Sequence, residues 1–93
     1  MKFKLKEDVV TVRDETIRIR ELTHAERLQW VKAATDDRFR GPSLLVSIGV
    51  TDPPVTEDEA GTWPADVVTT VSDAIMKISN MNTKKEDPDK KQP

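Results

Sequence analysis

Few residues of this chain could do chemistry, and they do not gather into a constellation. His24 is the single histidine, the side chain whose ordinary pKa suits general acid-base work near neutral pH. Catalysis there would need a nucleophile beside it, and metal binding a second nitrogen or sulfur ligand. The chain has no cysteine and no other histidine, so His24 reads as an exposed residue in the first turn of a helix. Thr56-Glu57-Asp58-Glu59 sets three carboxylates in a row. A calcium loop instead alternates its oxygen ligands around a central glycine, so this run reads as a solvated helix N-terminus. With three glycines in 93 residues, no G-x-x-x-x-G-K, G-x-G-x-x-G or G-x-S-x-G loop exists to cradle a phosphate or present a nucleophile. Neither enzymatic activity nor a metal or cofactor is expected.

Binding is better supplied. Trp30 and Trp63 belong to a residue type enriched at interface hot spots, although each also suits a core or helix-staple position. Arg38-Phe39-Arg40 forms a short amphipathic patch, or else a solvated loop. With the apolar residues that neighbour them, the candidate partner-binding set is Leu28, Trp30, Val31, Phe39, Leu44, Leu45, Ile48 and Trp63.

The elements that must position these residues follow from periodicity. Residues 2 to 6, KFKLK, alternate polar and apolar, and residues 11 to 20 repeat the alternation through Val12, Ile17 and Ile19. Both read as half-buried strands. Reversals at Glu7-Asp8 and Asp14-Glu15 would make a hairpin or a three-strand meander. At Leu22 the pattern changes. Thr23 and Glu26 stand in capping-box spacing, with apolar Leu22 before the cap as a staple, and Leu28, Val31 and Ala34 continue an apolar helical face with Ala25 beside it. Asp36-Asp37 and then Gly41-Pro42 end or bend this helix.

Residues 43 to 50, SLLVSIGV, are the most apolar run. Their length and β-branched content fit a buried strand, while Pro42 fits the first turn of a helix; we assign a helix. Asp52-Pro53-Pro54 is a break. Thr56 and Glu59 form a second capping box, opening a short turn that Gly61 ends. From Pro64 onward Val67, Val68, Val71, Ala74, Ile75 and Ile78 make one stripe of a helix, with Asp66 near its positive end. After Met81 no large apolar residue occurs, which predicts a disordered tail.

Composition bounds the rest. A chain that is 35% hydrophobic, 34% charged and 4% aromatic can build one small core of Val, Ile, Leu and Ala with a thin stability margin. The expected fold is α+β, mainly α: a short N-terminal β-hairpin or meander, three to four helices and the disordered tail. One domain would span 1–82, β-rich over 1–21 and helical over 23–80, with 83–93 as the charged tail. Residues 1 to 40 carry 10 basic and 8 acidic side chains, and residues 41 to 80 carry 1 and 6. This distribution offers no basic face, which argues against nucleic-acid binding. Signal-peptide and membrane-span patterns are also missing, which predicts a soluble intracellular protein without a membrane partner.

In order and spacing, these pieces resemble the tail assembly chaperones of long-tailed bacteriophages. The pieces are R-E-L-T-x-x-E-R at Arg20 to Arg27, the apolar run Leu44 to Val50 ending at Asp52, the short acidic helix Thr56 to Glu59, and W-P-A-x-V-V at Trp63 to Val68 with Asn80 beyond. The similarity covers residues 10 to 82. It departs at Asp52-Pro53-Pro54, where relatives often carry Asp-Gly. The resemblance implies a non-enzymatic protein of the bacterial host cytoplasm, encoded by a phage or prophage. It would hold the tape measure protein until tail tube subunits polymerise, would self-associate, and would be absent from the virion. It also implies a tail tube partner reached through a frameshift-extended form, with Lys84-Lys85 or Lys90-Lys91 as places where an adenine-rich slip site could lie. The alternatives are a small phage structural or head-tail connector protein and, below it, a small DNA-binding regulator.

Overall fold

The computed structural model describes residues 3–81. Its first element is a hairpin. Strand β1 (Glu7–Val12) pairs antiparallel with β2 (Glu15–Arg20), and Val12 opposite Glu15 closes the ladder around a two-residue turn. That turn is Arg13-Asp14, with both residues left-handed at φ 51° and 65°. Positive φ at both central positions gives the turn the twist that matches the strands. Glycine or asparagine would fit there without strain; the sequence spends two charged residues on it instead.

The N-terminal expectation needs correction on two points. Residues 3 to 6 lie outside any strand, and Glu7-Asp8 sits inside β1 rather than at a reversal. Alternation in KFKLK did not suffice, because a strand needs a ladder partner along its length. Here the partner strand ends at Arg20, and beyond it the backbone link is Glu21 N–H donating to the Lys6 carbonyl at 2.9 Å. The meander is also not N-terminal. The third strand, β3 (Val50–Asp52), arrives from far along the chain to pair antiparallel with β2, giving the order β1-β2-β3.

Helix α1 (His24–Asp36) starts where the capping box places it. Thr23 Oγ1 accepts from the Glu26 N–H at 3.2 Å, and Glu26 Oε1 accepts from the Thr23 N–H at 2.9 Å. Glu26 also receives both terminal nitrogens of Arg20 at 2.8 Å. The Arg20 guanidinium holds the Glu26 carboxyl down at about 2, from an ordinary value of 4.5, with the Thr23 N–H helping and partial burial opposing. In return the Arg20 pKa is raised. The last strand residue is thus clamped to the first turn of the helix, and the Leu22 N–H donates to Ser79 Oγ at 3.0 Å, tying the junction to the far end of the chain.

A single-turn 3-10 segment at Arg38–Arg40 leads into α2 (Gly41–Gly49). The apolar run therefore is a helix, as Pro42 indicated, and it is buried on several sides through Gly41, Leu44, Leu45, Val46 and Gly49. Burial on more than one side explains why its periodicity was uninformative. After β3 comes α3 (Glu57–Ala60), opened by the second capping box, with Thr56 and Glu59 exchanging bonds at 2.9 and 3.1 Å.

Helix α4 (Ala65–Ile78) buries Val67, Val71 and Ile75 of the expected stripe. Together with Ile17 and Ile19 of β2, Leu45 and Val46 of α2, and Val50, they form one core between the helices and the inner face of the sheet. Its C-terminus is a Schellman cap: Met81 N–H donates to the Met76 carbonyl at 2.8 Å and Asn80 N–H to the Lys77 carbonyl at 3.2 Å. Asn80 is left-handed at φ 56°, and Met81 folds back into the core. The tail expected over 83–93 lies outside the described residues.

Candidate functional site

The residues able to bind a partner separate into a buried and an uncovered set. On α1, the side turned to the rest of the chain carries Glu26, Trp30, Ala33 and Ala34, all half-buried, while Leu28 and Val31 remain 56% and 44% exposed. This reverses part of the expectation for α1. Leu28 and Val31 do not face the core, and only Ala34 of that stripe is partly covered. The reason lies at position 30, whose indole needs both apolar cover and a hydrogen-bond acceptor. Trp30 Nε1 donates to the Gly41 carbonyl at 2.7 Å, and orienting α1 to make that bond turns Leu28 and Val31 outward.

The other candidates divide similarly. Leu45 is wholly buried in the core, Leu44 is buried at the floor of a depression that it shares with Gln29, Lys32 and Ala33 of α1, and Ile48 is half-buried against the core. Phe39 is 83% exposed. The Arg38 guanidinium carbon stands 5.3 Å from the centre of its ring, and Arg40 is held by Glu57 through bonds of 2.7 and 3.1 Å, which raise the Arg40 pKa. Asp37 orients the segment, its Oδ1 accepting from the Phe39 N–H at 3.1 Å.

Trp63 is half-buried and forms a wall shared by two depressions. The first, about 340 Å³, lies between the hairpin tip and the start of α4 and is lined by Val12, Ile17, Pro53, Trp63, Pro64 and Val67. At its rim Arg13 reaches Asp66 with a bidentate pair at 2.7 and 3.2 Å, which joins the hairpin tip to α4. The second depression, about 350 Å³ and shallower, includes Phe39, Pro42 and Val68.

Sequence reasoning singled out Trp63 but missed the rest of the first cleft. Val12 and Ile17 come from the sheet, Pro53 from a loop and Val67 from a helix, so no local spacing joins them. It also missed the exposure of Phe3, Leu5 and Val9. Those three share the odd-numbered parity of the N-terminal alternation, which marks one face of an extended chain; the sequence did not say that the other described residues would leave it exposed.

His24 is exposed in the first turn of α1. Among the described residues no three His, Cys, Asp or Glu side chains are placed to hold a metal ion, and no helix is long and apolar enough to cross a membrane. The molecule is a small α+β domain with apolar surface uncovered on α1, at Phe39 and beside Trp63. Compared with known proteins, the chain matches no family model, no curated protein and no solved structure.

Proposed function

We propose that this chain is a tail assembly chaperone of a long-tailed phage, acting in the host cytoplasm as a non-enzymatic holder of the tape measure protein. Support comes from the ordered motif pieces between Arg20 and Asn80 and, above all, from Leu28 and Val31, which are uncovered on a helix in a chain poor in large hydrophobic residues. An exposed apolar pair on a rigid helix can cover one stripe of a long amphipathic helix in a partner. The client would gain solubility from the charged remainder of the holder. Recruitment of tube subunits would fall to a frameshift-extended form.

The test is co-expression of the chain with a tape measure protein, sought as a very long helical product of the gene that follows its own. The long protein should stay soluble only in the presence of the chain, and Leu28→Asp with Val31→Asp should abolish the effect without unfolding the holder. Equal solubility with and without the chain would refute the reading, as would its presence in purified virions, where a structural or connector protein would be found.

A further inference from the structure

We propose that Asp8 is a guard on the free edge of the sheet: its carboxylate occupies the middle outward-facing donor of β1 and so holds off the addition of a strand from another chain. Which backbone groups face outward follows from the hairpin register. Val12 opposite Glu15 across a two-residue turn is a hydrogen-bonded pair, and such pairs alternate along an antiparallel ladder, so Val12, Val10 and Asp8 spend their N–H and C=O groups on β2. The Glu21 N–H donating to the Lys6 carbonyl, and the Lys6 N–H donating to Glu21 Oε1 at 2.8 Å, carry the same parity two residues further. Glu7, Val9 and Thr11 therefore turn their backbone groups away from β2, toward an edge that no strand covers among the described residues.

The sheet treats its two edges differently. β3 is three residues long and runs into Pro53-Pro54, a poor template because it is short and because proline donates nothing to a ladder. β1 is six residues long and holds no proline; Val9 is exposed on it, and Phe3 and Leu5 are exposed in the segment that leads into it. A long edge with exposed apolar side chains recruits further strands unless something blunts it.

Asp8 supplies the block. The Val9 N–H donates to Asp8 Oδ1 at 2.7 Å, a short charge-assisted bond at the centre of the three outward donors. An incoming strand must break that bond before its own carbonyl can reach Val9, and it leaves the carboxylate without its donor at the new interface. Asp8 is itself exposed, so its removal opens no cavity in the core. The guard acts at the sheet edge and is independent of α1 and of any client.

Amide hydrogen exchange and infrared spectra of the full chain test it. Asp8→Ala should lower the protection factor of the Val9 amide roughly tenfold. As concentration rises it should also give the amide I band of intermolecular β-structure where the wild type does not; association through helix faces gives no such band. Asp8→Asn, which keeps an acceptor and drops the charge, should stay closer to wild type than to Asp8→Ala. Adding Thr11→Pro to Asp8→Ala, or Val9→Lys should the proline unfold the hairpin, should remove the band, because each closes the same edge by another means. Asp8→Ala without intermolecular β-structure, at whatever Val9 protection, would overturn the proposal. So would assembly of Asp8→Asn equal to that of Asp8→Ala, or a band that persists once the edge is closed.

Discussion

Gly49 of α2 lies so close to Ile75 of α4 that a Cβ on the glycine would stand 2.6 Å from Ile75 Cδ1, 2.7 Å from Cγ2 and 2.9 Å from Cγ1. The two helices cross where one has no side chain. Alanine would ordinarily stabilise a helix interior by up to about 1 kcal/mol over glycine, but Ile75 is fully buried and cannot swing away. Gly49→Ala should therefore destabilise by about 1–3 kcal/mol through overpacking, read as a lower urea midpoint at unchanged slope. Combining it with Ile75→Val should cost less than the sum of the two single changes, because they share one volume.

The Arg20–Glu26 clamp makes stability depend on acid. Glu26 titrates near 2 in the folded chain against an ordinary 4.5, so its contribution is complete above about pH 4.5 and is lost as pH falls toward 2. Glu26→Gln keeps the capping reach but not the ion pair. It should cost about 1–2 kcal/mol at pH 7, with the gap from wild type closing between pH 4.5 and 2 in thermal melts followed by circular dichroism.

Trp30 and Leu28 should behave in opposite ways despite standing two positions apart. Trp30→Phe removes the donor to the buried Gly41 carbonyl and should destabilise by about 1–3 kcal/mol. Leu28→Asp, at a position 56% exposed, should change stability by no more than about 0.5 kcal/mol. Denaturant titration of both variants checks the assignment of core and surface on α1, and an equal loss in both would contradict it.

Asn80 occupies the left-handed position of the Schellman cap that folds Met81 into the core. Asn80→Val should cost about 1–2 kcal/mol, because a β-branched side chain is strained at positive φ. Asn80→Gly should be neutral or slightly stabilising. Chemical denaturation of the pair separates backbone conformation from any role of the amide side chain.

Arg13–Asp66 joins the hairpin to α4 by a pair whose side chains are 59% and 60% exposed. Exposed pairs contribute little, so Arg13→Ala should lower stability by less than about 1 kcal/mol, with the difference vanishing in 1 M salt. A larger loss in thermal melts would mean that the hairpin tip depends on this contact for its position.

Where a short-range rule carries its own partner, the sequence by itself determined the structure. Thr23 with Glu26, and Thr56 with Glu59, satisfy one another's backbone within three residues, so both helix starts were legible. The stripe from Val67 to Ile78 was legible because a long 3.6-residue period admits one interpretation, and Pro42 marked α2 as a helix where periodicity was silent. Tertiary structure alone decided the pairing of β3 with β2, since nothing near Val50 names Ile19 as its neighbour. It also decided which way α1 faces. Leu28 and Val31 have the spacing of a core stripe, but burying the larger Trp30 and satisfying its indole N–H against Gly41 turned them to the surface. The cleft beside Trp63 has the same origin: its walls come from a sheet, a loop and a helix, and only packing brings them together.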